Sequence, residues 1–410
     1  MKRVLQTLAV LAVLGGLGAA VVVSFGLYNV SARVGHLPGV SWVLHTTFRN
    51  AVSLRAPKHA DVPPLSPEMA ELGARHFDAA CAVCHAPPGR IRTATMRAML
   101  PEPPRIADAV AGWTPAELAW IVREGVKMSG MPHWPSVRDD EVWPVVAFLM
   151  RVGEMTGEDY AALTAPPRMP ARAPEGAAYC AGCHGVDGRS GNPHIPRLDI
   201  LGAPYLALSL ETYRGGMRES GVMRHAASEV PETALPDLVR YFAEQGSTDA
   251  TTGGAGMPGT EGAADGAPRA SVPEGRTSTG AVPDGTASPT PGPEAPGTNA
   301  PGTDTPGADP GLVARGEALA LASSGDRDVP ACRACHGPSA DRKSADFPEL
   351  SGQYAPYLET QLKIWRDGTR GGGPRANLMT RAAAELGDDD IAALAAYYAS
   401  LSPQSAPAEE

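Results

Sequence analysis

Apolar and polar positions divide this chain into stretches of very different texture. Behind Met1, Lys2 and Arg3, the segment from Val4 to Tyr28 carries no charged residue. As a helix its 25 residues would span ~37 Å, enough to cross a hydrocarbon core of ~30 Å with some tilt. A cleaved leader has a shorter apolar region, ~7–15 residues, before a small-x-small site. Ala19-Ala20 resembles such a site, but apolar residues continue past it, so the segment reads as an uncleaved anchor. Lys2 and Arg3 set its N-terminus in the cytoplasm by the positive-inside rule. Further on, Leu44, Phe48, Ala51, Val52 and Arg55 recur at helical spacing, with Arg49 and Asn50 on another face. This is an amphipathic helix for a membrane surface or for the first folded domain; the pattern allows both. His36 and His45 in this stretch read as interfacial or surface histidines.

The remaining periodic segments are short and helical. Ser66 and Pro67 open a helix that runs towards residue 81 with Gly73 and Phe77 on one face. Asp139-Asp140-Glu141 suit the start of a second helix, since acids favour a helix N-terminus; it continues through Trp143, Phe148 and Leu149. Helices are also expected from Pro174 to Tyr179, Leu235 to Gln245, Leu312 to Ala322 and Asp388 to Leu401. No alternating strand pattern appears, so the fold class is all-α. Between these runs, residues 246–310 hold 14 Gly and 11 Pro and show no apolar periodicity. Such a stretch buries too little surface to offset its chain entropy and reads as a disordered linker. A shorter break at Ala165–Pro174 separates two earlier domains. The expected organisation is an anchor at 1–28, a connector at 29–60, and small helical domains at 61–165, 171–245 and 311–403, the last behind the linker.

Composition agrees with small domains rather than one large core. The chain has 46 Gly and 41 Pro but only 6 Phe, 6 Trp and 10 Tyr. Its net charge of −10 argues against a nucleic-acid binder. The charge is uneven: residues 1–170 carry 16 basic and 14 acidic residues, and 171–410 carry 19 and 31. The acidic distal half would dock on a basic partner surface, at a rate that falls as salt rises.

The six cysteines carry the chemistry. They fall in three copies of one pentapeptide, Cys81-Ala-Val-Cys84-His85, Cys180-Ala-Gly-Cys183-His184 and Cys332-Arg-Ala-Cys335-His336. C-x-x-C-H is the attachment signature of c-type haem: two thiols bond the porphyrin and the adjacent His binds the iron. A zinc site needs a second ligand pair nearby, and a thioredoxin-like redox pair needs a βαβ setting. Neither is present, and no cysteine is left over, so three covalent haem c groups are expected. Haem of this type is normally attached outside the cytoplasmic membrane, which sets the domains in the periplasm of a bacterial cell.

Each iron with one His needs a sixth ligand, and Met is the usual partner where the task is electron transfer. In the third domain Met379 is the only methionine and His336 the only histidine. In the second, Tyr213-Arg214-Gly-Gly-Met217-Arg218 aligns with Trp365-Arg366-Asp-Gly-Thr369-Arg370. That sets Met217 against Thr369 and, after a short gap, Met223 against Met379; Met223 is the expected ligand. In the first, Met128, Met131 and His133 compete, and Met131 is favoured because Gly130 and Pro132 shape a tight loop. Each proximal His should donate its other ring N–H to a carbonyl, from loops containing Pro104, Pro196 and Pro348.

All three domains resemble class I c-type cytochromes. The last two resemble the tandem halves of periplasmic dihaem cytochromes, through Phe347-Pro-Glu-Leu-Ser-Gly-Gln353, Tyr357-Leu-Glu-Thr-Gln-Leu362 and Ala395-Ala-Tyr-Tyr398. The second departs from that pattern after Pro196-Arg-Leu198, and the linker separates halves that pack together in the family. Residues 27 to about 160 resemble membrane-anchored monohaem cytochromes, through Pro101-Glu-Pro-Pro104, Trp113-Thr-Pro-Ala-Glu-Leu118 and Lys127-Met-Ser-Gly-Met-Pro132. The resemblance implies electron transfer; with the apolar N-terminal run and three motifs, the leading expectation is a membrane-anchored, triple-haem carrier of single electrons, not an enzyme. Its partners would be a quinol- or substrate-oxidising complex on one side and a terminal oxidase or soluble cytochrome on the other. The linker would let the third domain swing between docking sites. Two alternatives stay open: a peroxidase- or reductase-type haem enzyme with one open iron, and the cytochrome subunit of a periplasmic dehydrogenase.

Overall fold

A computed structural model describes residues 1–127, 129–252, 309–323, 327–337, 344 and 346–403, with Ala60 and 247–252 described by backbone alone. Residues 253–308 of the expected linker, and the candidate ligand Met128, lie outside them. Among the described residues the secondary structure is helical; two isolated antiparallel bridges, Val126–Met131 and Arg218–Gly371, are the β pairing.

The first helix, Lys2–Ser24, is long and apolar enough to cross a membrane, and every residue in it is exposed. The connector helix Val40–Arg55 packs on the first domain. Its Val52 is fully buried, and Phe48 meets the Trp113 ring edge-on at 5.6 Å. The Ser53 hydroxyl donates to Glu117 at 2.7 Å. Trp42, Val43 and Leu54 stay exposed on its remaining surface.

In the first domain, the helix Pro67–Ala80 begins at Ser66, whose hydroxyl accepts the Met69 N–H at 3.2 Å. It crosses Val142–Leu149 at Gly73, where a Cβ would stand 1.8 Å from the Pro144 carbonyl oxygen. Phe77, Phe148 and Tyr160 cluster beside that crossing in tilted and edge-on contacts, with ring centroids 5.1 to 6.4 Å apart. The third domain repeats the arrangement. Pro310–Leu321 crosses Asp388–Ser400 at Gly316, where a Cβ would meet the Ala393 carbonyl oxygen at 2.0 Å. The second domain has no such leading helix. Ala177–His184 starts behind Gly176 (φ +81°) and contains the Cys-His motif itself, while Leu235–Thr252 closes the core, continuing past the expected boundary at 246.

The linker left open whether the second and third domains pack together. The second and third domains are packed together. Gln353 and Arg197 exchange two hydrogen bonds, Arg197 N–H to Gln353 Oε1 at 2.9 Å and Gln353 Nε2 to Arg197 O at 3.2 Å. The Glu219 N–H donates to Arg370 O at 2.8 Å and the Gly372 N–H to Met217 O at 2.7 Å. The aligned segments around Arg218 and Arg370 thus face each other across the interface. Linker length limits how far two domains separate, but their complementary surfaces decide whether they stay joined.

Candidate haem sites

Each Cys-His motif lies on a helical turn of the backbone. The His85 and His336 N–H groups donate to the carbonyls of Cys81 and Cys332 at 2.9 and 3.0 Å. In all three sites the ring Nδ1 meets a proline carbonyl: His85 to Pro104 at 3.0 Å, His184 to Pro196 at 3.1 Å, His336 to Pro348 at 3.0 Å. These are the expected loops. A ring held through Nδ1–H leaves Nε2 with its lone pair free for a metal. Burial pushes the thiols of Cys81, Cys180 and Cys332 up to about 11.

On the distal side, Met379 lies on the helix Ala376–Ala383 with its Sδ 3.4 Å from His336 Nε2. Met131 sits in a tight loop held by a Val126 N–H to Met131 O bond at 3.1 Å, with Gly130 at φ +80°. Met223 occupies the first turn of the helix Gly221–Glu229. Met217 is half exposed, and the exposed His133 bonds its neighbour's carbonyl, Trp134 O, at 2.8 Å.

One continuous cavity of about 2130 Å³ is lined by Cys81, Cys84, His85 and Met131 and also by Cys180, Cys183, His184 and Met223. Ordinary ligand pockets measure roughly 300–1,000 Å³, so this space suits more than one large group. Polar groups around it ask for partners. His76 Nδ1 is buried with no hydrogen bond. Arg218 and Arg370 are 6% and 7% exposed, and no carboxylate pairs with either among the described residues. Arg218 lies 4.5 Å over the Tyr213 ring and donates to Ser209 at 3.0 Å; Arg370 lies 4.4 Å over Trp365 and donates to Gln361 at 2.7 Å. Burial resists ionisation of Tyr205, yet the two guanidiniums pull its phenol down to about 8. Arg218 lines the cavity, where a buried cation fits a porphyrin carboxylate, and Arg370 holds the equivalent place in the third domain. Sequence reasoning missed these arginines, His76 and Tyr205, although the aligned R-x-G-x-R-like segments had singled out the first two positions as equivalent.

The family described as "Cytochrome C oxidase, cbb3-type, subunit III" matches residues 68–149, and "Cytochrome c" matches residues 313–402. Cytochrome c4 of Pseudomonas aeruginosa is 30% identical over 226 residues, 55% of this chain and 85% of that protein. The thiosulfate dehydrogenase electron acceptor of Thiomonas intermedia is 31% identical over 243 residues, 58% of this chain and 87% of that protein. Reduced cytochrome c4 from Pseudomonas stutzeri superposes with a TM-score of 0.38 at 27% identity, covering 55% of this chain and 97% of that one. With matching family segments in the first and third domains, Cys-His turns in all three and relatives covered over most of their length, the chain belongs to the class I c-type cytochromes.

Proposed function

We propose that this protein is a membrane-anchored, periplasm-facing carrier of single electrons with three covalent haem c groups. The observation that carries the reading is the threefold repetition of one ligand arrangement, each histidine tied by Nδ1 to a proline carbonyl behind a Cys pair. Cys81 with Cys84, Cys180 with Cys183, and Cys332 with Cys335 hold the haems. His85 and Met131, His184 and Met223, and His336 and Met379 are the proposed iron ligands. When bound, haem supplies an iron that cycles between ferric and ferrous forms. The chain's part is to hold both axial side chains fixed, exclude water with apolar walls, and neutralise the porphyrin carboxylates with Arg218 and Arg370. The helix Lys2–Ser24 anchors the chain in the cytoplasmic membrane.

A second reading, an electron-accepting subunit of a periplasmic dehydrogenase, is favoured by the relative named as a thiosulfate dehydrogenase electron acceptor. It keeps the same chemistry and adds one obligate donor. The test is to purify the full chain from membranes, count haem per polypeptide and add carbon monoxide to the reduced protein. Three haems and slow or no binding at neutral pH are expected. Rapid binding to one haem would favour an open, enzymatic site instead.

A further inference from the structure

The helix Gly221–Glu229, which carries Met223, has its first turn capped from the first domain rather than from its own alone. Its cap residue Ser220 accepts the Met223 N–H at 3.0 Å and donates its hydroxyl to the Glu141 carboxylate. Glu141 Oε2 accepts the Gly221 N–H at 2.6 Å and the Val222 N–H at 3.4 Å. A helix start leaves such N–H groups without internal partners, and a carboxylate there is favoured by the helix dipole. Glu141 and Arg138 are each 8% exposed and pair at 3.1 Å; Arg138 also donates to the Glu219 carbonyl at 3.3 Å. The Trp134 indole N–H donates to Glu141 at 3.3 Å, and a Cβ on Gly221 would stand 2.4 Å from that nitrogen. Further along, Arg224 donates to Pro135 O at 3.0 Å and His225 Nε2 meets Ala79 O at 3.3 Å.

We propose that Glu141 is a positioning residue for the second haem. Braced by Arg138 and Trp134, it holds Met223 where that side chain serves as sixth ligand, so ligation in the second domain depends on the first. This rests on the assignment of Met223 as the ligand. The other two sites differ. The Met131 loop is tied by Val126 and Ser129 of its own domain, and the Met379 helix has no side-chain cap. The Trp134 that touches Gly221 stands three residues beyond Met131, so one junction adjoins both distal methionines.

The test uses the full-length haem-loaded protein and three variants, Met223→Ala, Glu141→Ala and Glu141→Gln. The readouts are the methionine-to-ferric-iron charge-transfer band and a potentiometric titration. Met223→Ala should remove one of the three contributions to the band and lower one potential. Glu141→Ala should remove the same contribution and lower the same potential, the other two haems reporting an intact fold. Glu141→Gln keeps an acceptor for the Gly221 N–H and should lose that contribution in part. Removing a negative charge with ligation intact would instead raise the potential and leave the band whole. That result in both Glu141 variants, with Met223→Ala behaving as stated, overturns the positioning role alone. An unchanged band in Met223→Ala overturns the ligand assignment and the positioning role with it. If Glu141→Ala does not accumulate, Glu141→Gln decides: a full band overturns the proposal.

Discussion

Asp390 organises much of the third domain through one carboxylate. It accepts from Arg315 at 2.8 Å, from Arg327 at 2.5 Å and from the Gly387 N–H at 3.2 Å, at the start of the closing helix. Burial opposes its ionisation, but these bonds outweigh it and hold the carboxyl below its usual range. A depressed folded-state pKa stabilises the domain above the unfolded value and loses that stabilisation as pH falls through the folded one. The thermal midpoint of the third domain should therefore fall as pH drops below about 4. Asp390→Asn should lower the midpoint at neutral pH and flatten the acid dependence; an unchanged pH profile would contradict this account. Single residues were unevenly legible in the sequence. The Cys and His positions declare themselves because attachment chemistry fixes their local spacing. Glu141 was read as an acid suited to the start of the helix that follows it. Its carboxylate instead caps a helix some eighty residues away, which no local rule reveals.

Among the elements, the two glycine crossings set the frame of the first and third domains. Gly73 and Gly316 let a leading helix approach a closing helix until backbone meets backbone. Gly73→Ala would force the helices apart, since the nearest atom is a carbonyl oxygen and not a flexible side chain. The expected loss is roughly 1–3 kcal/mol, measured by denaturant unfolding of the first domain. Gly153 has nothing within 4 Å of its Cβ position, so Gly153→Ala should change stability far less and serves as the control. The four crossing helices were legible from capping residues and apolar spacing, whereas Pro115–Glu124, Ala203–Arg214, Gly221–Glu229, Ala355–Arg366 and Ala376–Ala383 were not anticipated. The crossing was not legible, because a glycine on an apolar face looks the same whether it faces a side chain or a backbone. The connector helix shows the same limit: its apolar stripe suited a membrane or a protein, and the Phe48–Trp113 contact identifies a protein neighbour.

Over the whole molecule, the second domain touches both of the others. It meets the first through the Gly221–Glu229 helix and the third through the paired segments around Arg218 and Arg370. Sequence alone suggested separable units, because the glycine- and proline-rich stretch is visible while complementary surfaces far apart in the chain are not. If the proposed haems are bound, domains packed in this way would suit electron passage between them better than a freely swinging domain. The continuous cavity reaching both the first and second ligand sets belongs to the same arrangement. The central claim is that three irons, each held by one histidine and one methionine, serve transfer rather than catalysis. Near-infrared magnetic circular dichroism of the oxidised full chain tests it most directly, by counting histidine–methionine haems per polypeptide. The predicted result is three low-spin centres, all with the methionine signature. A high-spin centre, or one with the bis-histidine signature, would contradict it.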